Sequence, residues 1–69
     1  MILNKDNKNG LTVGDTLEDT YSKYMITSVY KNEKMGYINL TIEDIKTHQK
    51  IYFEPISKCY GMEWKKSGK

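Results

Sequence analysis

The chain has 69 residues, a formal charge of +2 at neutral pH and an aromatic content of 12%. This length supports one domain, and a domain of about 60 residues buries only about 60% of its unfolded surface. Arginine, the preferred bidentate reader of guanine, is absent, so the composition argues against sequence-specific DNA recognition. No apolar run approaches the ~20 residues of a membrane span, so no membrane partner is expected.

The composition also indicates a source and a compartment. Alanine is absent, whereas Lys, Asn, Ile and Tyr, whose codons are AT-rich, are plentiful. We therefore expect an AT-rich genome, such as that of a low-GC bacterium or its phage. Met1-Ile2-Leu3 is followed at once by polar residues rather than by the apolar core of a secretory signal, which favours a cytoplasmic location.

The first part of the chain is predicted to be irregular. Residues 4–10 are polar, so 1–10 are expected to form a flexible or turn-rich lead-in to a domain over 11–64. A first strand is expected at 11–13; Gly14-Asp15 interrupts it before Thr16-Leu17 resumes it.

Residues 24–30 predict the clearest strand, because they are mostly β-branched and aromatic. Ile26 and Val29 fall on opposite faces of an ideal strand, and a bulge near Thr27-Ser28 would turn both toward the core. A polar hairpin loop then follows at 31–34, and Gly36 lets the chain re-enter the sheet.

Residues 37–42 and 51–53 alternate in polarity and are expected to be antiparallel neighbours. Strand parity assigns one face to the core and the other to solvent. The core face holds Ile38, Leu40, Ile42, Ile51 and Phe53. The opposite face holds Tyr37 and Tyr52.

The link at 42–50 admits two interpretations. Thr41 followed by Asp44 is the spacing that caps a short helix. The favoured alternative is a hairpin made of a type I turn and one residue in the left-handed region. His48 would occupy that position, which predicts a positive φ there.

The last elements follow from Pro55, which ends the fourth strand because it cannot donate to a ladder. A single helical turn is expected at 56–58, a last strand at 59–64 and a basic tail at 65–69. The predicted fold is all-β: a small five-stranded antiparallel barrel with at most one short helical turn. The expected core comprises Leu11, Val13, Leu17, Ile26, Val29, Ile38, Leu40, Ile51, Phe53 and Met62.

This layout over 11–64 resembles the SH3-like small barrel, and the Val13-Gly14-Asp15 step is similar to the opening of its KOW and Tudor-type members. The resemblance implies a closed barrel. It assigns no activity, because one fold hosts many functions.

Candidate chemistry is sparse. His48 is the single histidine and Cys59 the single cysteine, so neither a hydrolytic triad nor a four-ligand zinc site assembles. His48 is expected to serve the turn, Cys59 to be buried, and Asp15 and the other acidic residues to be solvated loop carboxylates. We therefore expect a protein without catalytic activity, metal or cofactor.

The aromatic residues are the best candidates for a functional surface, because Tyr37 and Tyr52 cannot share the face of the aliphatic core. The first hypothesis is a small interaction protein, encoded by a phage or another mobile element. It would bind a protein partner, or pair with itself, through an aromatic sheet face or an edge strand. The expected contact residues are Tyr30, Tyr37, Tyr52 and Trp64.

The alternative hypothesis is a nucleic-acid-binding small barrel. It would stack bases on the same tyrosines and contact phosphates through lysines. The lysines proposed for this role are Lys34, Lys50, Lys65 and Lys66.

Overall fold

A computed structural model describes residues 1–67 as an all-β protein whose five strands pair antiparallel. The strands are β1 (Thr16–Glu18), β2 (Lys23–Asn32), β3 (Tyr37–Asp44), β4 (Lys50–Pro55) and β5 (Glu63–Lys65). Their order is β4-β3-β2-β1-β5, which places β4 and β5 at the two ends of an open sheet. The predicted class and strand count are confirmed. No helix in the described part of the chain is long and apolar enough to cross a membrane.

The predicted bulge in the second strand is present. Ile26 lies opposite Ile42 and Ser28 lies opposite Thr41, so Thr27 is an extra residue in β2. The Thr27 hydroxyl donates a hydrogen bond to the Thr41 carbonyl at 3.1 Å. Because the bulge reverses strand parity, Ile26 is fully buried and Val29 packs against the core from the same face.

The link between β3 and β4 is a hairpin and not a helix. Asp44 accepts backbone hydrogen bonds from Lys46 and Thr47 on its side-chain oxygen, and His48 donates its N–H to the Asp44 carbonyl at 2.7 Å. The φ of His48 is 66°, as the hairpin interpretation predicts. The β2–β3 hairpin has Gly36 in the corresponding place, with a φ of 78°.

This conformation makes His48 a measurable site of backbone strain. We expect His48→Val to lower the free energy of unfolding by about 1–2 kcal/mol, because a β-branched side chain is poorly tolerated at positive φ. His48→Gly should keep or slightly raise it, since glycine has no Cβ penalty and the lost contact to Glu43 is on the surface. Urea denaturation of the two variants checks this, and equal stability of both would contradict it.

A second bulge lies in β4 and was not predicted. Ile51 pairs with Ile42 and Glu54 pairs with Leu40, so Tyr52 and Phe53 together oppose the single residue between them on β3. At this bulge, strand parity no longer predicts which side chains of β4 face the core. Phe53 and Ile51 were both predicted to be in the core, but Phe53 is 64% exposed and Ile51 is 39% exposed.

The N-terminal part of the chain differs from its prediction in two ways. Leu11 to Val13 form no strand: Thr12 to Asp15 make a tight turn in which Gly14 has a φ of 96°, and Val13 is exposed. A 3-10 turn at Lys8–Gly10 adds a helical turn to the one predicted before the last strand, which runs from Ile56 to Cys59. The last strand itself starts later than predicted, at Glu63.

The core lies on one face of the sheet and is closed by residues from both irregular ends. Six of the ten expected core residues are buried as predicted: Leu11, Leu17, Ile26, Ile38, Leu40 and Met62. The list of expected core residues omitted five buried ones, Leu3, Ile42, Ile56, Cys59 and Trp64, although Ile42 was assigned to the core face and Cys59 was expected to be buried. All of these except Ile42 lie outside β1 to β4, where strand parity gives no guidance.

Candidate functional site

The two edges of the sheet differ in how they are protected. The outer edge of β5 is covered by the first residues of the chain, since Leu3 donates to the Met62 carbonyl and Trp64 donates to the Met1 carbonyl. β4 has a neighbour only on its β3 side, and five of its six residues are exposed. An edge with unpaired N–H and C=O groups is a template for pairing with another chain.

Beside this open edge, three exposed aromatic rings meet on the outer face of the sheet, opposite the buried side chains of β3. The Tyr30 ring centroid lies 6.4 Å from that of Tyr37 and 6.3 Å from that of Phe53, in an edge-on contact at 86°. Tyr30 lies opposite Asn39 in the sheet, and Asn39 also pairs with Pro55 of β4. We call Tyr30, Tyr37 and Phe53 the aromatic patch.

Phe53 is the unusual member of the aromatic patch. Its φ is 54°, a conformation that costs an L-residue with a bulky side chain about 1–2 kcal/mol. Burial does not offset this cost, because the side chain remains 64% exposed. Strained residues of this kind cluster at binding and switch sites, where the strain is part of the function.

The remaining predicted contact residues of this half of the sheet lie at its borders. Tyr52 adjoins Phe53 in the β4 bulge and is 66% exposed. Lys50 lies opposite Glu43 at the start of β4. Lys34 is in the β2–β3 hairpin loop and is exposed. Sequence parity therefore identified Tyr37 and Tyr52 correctly as exposed side chains.

Trp64 is not part of any exposed surface. It is 3% exposed, and its indole Nε1–H donates to the Asp15 carboxylate at 3.0 Å. Asp15 is itself fully buried, which corrects the expectation of a solvated loop carboxylate. The candidate contact set therefore loses Trp64, whose ring is a structural part of the core.

The buried Asp15 carboxylate accepts hydrogen bonds from four neighbouring residues. Its two oxygens accept hydrogen bonds from the N–H and hydroxyl of Thr12, the Trp64 indole, the Lys66 ammonium and the Ser67 N–H, at 2.8–3.3 Å. Desolvation by burial raises the pKa of this carboxyl, but the donated hydrogen bonds outweigh it. The net pKa is lowered from 3.8 to about 2.

Lys66, one of the lysines proposed for phosphate contact, is engaged in these hydrogen bonds. The Lys66 ammonium donates to the Gly10 carbonyl at 2.7 Å and lies 5.5 Å from the centre of the Trp64 ring. Lys65 is in β5, at the end of the sheet remote from the aromatic patch. The four lysines of the nucleic-acid hypothesis are therefore not gathered along one surface.

The remaining reactive side chains are also accounted for. Cys59 is 3% exposed, as predicted, and burial together with the nearby Glu54 carboxylate raises the pKa of its thiol to about 11. The His48 Nδ1 lies 2.9 Å from Glu43 on the surface. Across residues 1–67, no three His, Cys, Asp or Glu side chains converge as a metal site would require.

The site combines the aromatic patch with the open edge of β4. The sequence proposed an aromatic face or an edge strand as the binding surface, but it did not identify Phe53. Tyr30 and Tyr37 were identified as surface candidates, whereas Phe53 was missed because the β4 bulge reverses its parity. Pro55 was a usable signal for the edge position of β4, because proline in a strand favours an edge, but it does not reveal the outward turn of Phe53. Comparisons with known proteins give no lead, because the chain matches no protein-family model, no curated protein and no solved structure.

Proposed function

We propose that this protein is a small non-enzymatic interaction module that binds a protein partner through the aromatic patch and the open edge of β4. The observation that carries the proposal is Phe53, an exposed phenylalanine in a strained backbone conformation on an unprotected edge strand. Surface strain at an apolar side chain costs stability, so we attribute it to a bound state in which that side chain is covered.

The two features suit an extended segment of a partner protein. Backbone groups of β4 would hydrogen-bond a strand added at the edge, which gives affinity with little dependence on sequence. The rings of the aromatic patch would then cover alternate side chains of that strand, which gives specificity. Large aromatic side chains of this type commonly dominate the binding energy of protein interfaces.

The proposal extends to the fold family and the source. The order β4-β3-β2-β1-β5, with a 3-10 turn before β5, supports an SH3-like arrangement. We further propose that the protein is encoded by a phage or other mobile element of a low-GC bacterium, because its composition favours residues with AT-rich codons. Self-association through β4 belongs to the same proposal, because a second copy offers the same edge.

The test compares capture from a nuclease-treated lysate of a low-GC bacterium by three forms of the tagged protein. The double variant Tyr30→Ser/Phe53→Ser removes two rings of the patch. Tyr21→Ser is the matched control, because Tyr21 is 91% exposed at the β1–β2 turn, away from the patch. We expect one protein to be retained by the wild type and the control and reduced about tenfold or more by the double variant.

We expect each variant to remain folded, since the replaced rings are largely exposed. Circular dichroism checks this and so excludes unfolding as the cause of reduced binding. A species retained equally by all three forms would place binding elsewhere on the molecule. Retention only in untreated lysate, with release of nucleic acid by nuclease, would overturn the proposal in favour of the nucleic-acid hypothesis.

A further inference from the structure

A groove lies beside the β2–β3 hairpin and meets β4 only at Pro55. A hollow of about 400 Å³ lies between the 3-10 turn at Lys8–Gly10 and the hairpin, and a second of about 170 Å³ continues toward the 3-10 turn at Ile56–Cys59. The two hollows share Lys8, Gly36, Tyr37 and Ile38 in their linings. They therefore form one shallow groove with Tyr37 at its middle, which we call the hairpin groove.

The lining of the hairpin groove combines aromatic and apolar side chains with asparagine amides and three charged residues. Tyr37, Pro55 and Tyr60 supply apolar surface, and Asn9 and Asn39 supply side-chain amides. An amide offers a donor and an acceptor together, which matches the hydrogen-bonding groups of a peptide backbone. Aromatic grooves of this kind accept extended chain segments, whose preformed backbone loses little entropy on binding.

The charged residues that line the hairpin groove determine which charge a bound segment should carry. Lys8 lines both hollows, and its ammonium makes no ion pair or hydrogen bond with another side chain or backbone group of residues 1–67. The ammonium of Lys31, in contrast, donates to the Asn9 carbonyl at 3.2 Å. Glu33 is the single acidic residue of the lining, at the hairpin end.

We infer that the hairpin groove binds an extended peptide segment carrying an acidic side chain that pairs with Lys8. One available ammonium suits a single carboxylate. Single-stranded nucleic acid requires a positive track along its whole backbone, and Glu33 would repel phosphates at one end of the groove. The inference goes beyond the proposed function, since the hairpin groove shares only Tyr37 and Pro55 with the aromatic patch and β4 and does not include Phe53.

The test is selection of a random decapeptide library displayed on phage against the wild type, Lys8→Glu and Lys34→Glu. Lys34→Glu is the matched control, because it makes the same charge change in the neighbouring hairpin loop without lining either hollow. We expect the wild type and the control to enrich Asp or Glu, and Lys8→Glu to enrich Lys or Arg. A selected acidic peptide should bind Lys8→Glu about 5- to 10-fold more weakly than the wild type.

Amide chemical shifts locate the bound peptide. Shifts at Gly36, Tyr37 and Tyr60 support the inference, and shifts confined to residues 50–54 would overturn it while leaving the proposed function intact. Failure to enrich any peptide, or enrichment unaffected by Lys8→Glu, would also overturn it. So would an oligothymidylate that causes the same shifts at lower concentration than the selected peptide.

Discussion

Replacing Asp15 by alanine is expected to lower the free energy of unfolding by about 2–4 kcal/mol, because a buried donor left without its acceptor costs about 1–3 kcal/mol. The substitution leaves the buried Trp64 indole without its acceptor, and it also removes the acceptor of the part-buried Thr12 and Ser67 N–H groups. A domain of this size has a total stability of roughly 3–10 kcal/mol at 0.05–0.15 kcal/mol per residue. The loss is therefore a large share of the total stability, and urea denaturation should report a much lower midpoint for Asp15→Ala than for the wild type.

The same carboxylate predicts acid sensitivity. Its pKa is about 2 in the folded protein against 3.8 in the unfolded chain, so the unfolded state binds protons first as the pH falls. The stabilisation is complete above about pH 5 and is lost between about pH 4 and pH 2, and it amounts to about 2 kcal/mol. Asp15→Asn should remove this part of the pH dependence, because an amide does not titrate in the range.

Asp6 provides the matched control for Asp15. It is exposed, and its side chain accepts no hydrogen bond from the described residues. Asp6→Ala should change the free energy of unfolding by less than about 0.5 kcal/mol. If Asp15→Ala were no more damaging than Asp6→Ala, the buried network would not be a significant source of stability.

The parts of the fold that were predicted from the sequence are those governed by local rules. Alternation located β3, and the mismatch of Ile26 with Val29 located the β2 bulge. The turn chemistry of Asp44 and the conformation of His48 were likewise readable, because an Asx side chain and a left-handed position have few alternatives in a short hairpin. In each case, residues close together in the chain decide the outcome.

The parts that were missed depend on contacts between distant residues. Asp15 resembles any loop carboxylate until Trp64, 49 positions away, donates to it. Trp64 in turn resembles a surface aromatic at the end of a chain. Neither burial can be derived from local pattern, because the pairing of β1 with β5 brings the two distant residues together.

The two bulges explain why the aromatic patch was only half predicted. Both lie opposite Thr41 of β3. One is in β2 and the other is in β4, the two strands that flank β3. The β2 bulge can be predicted from the sequence, because Ile26 and Val29 would otherwise face opposite sides of the sheet. The β4 bulge turns Phe53 outward, and an alternating Ile51-Tyr52-Phe53 gives no sign of it. The same irregularity that defeats the parity rule therefore creates the candidate site.

Leu3 is the clearest consequence of long-range packing, and its replacement by alanine should cost about 2–5 kcal/mol. The sequence places Leu3 in a lead-in expected to be flexible or turn-rich, yet the side chain is fully buried. Its backbone donates to the Met62 carbonyl at 3.0 Å and accepts from Gly61 at 2.9 Å, which fixes the side chain over the core beside β5. Thermal unfolding of Leu3→Ala measures the cost.

Ile2→Ala is the matched control, because Ile2 belongs to the same segment but is 49% exposed. It should lower the free energy of unfolding by less than about 1 kcal/mol. Equal losses for both variants, or none for Leu3→Ala, would show that the segment is not packed as described. A large loss for Leu3→Ala alone would establish that residues 1–3 both complete the core and cover the β5 edge, which leaves β4 as the edge available to a partner.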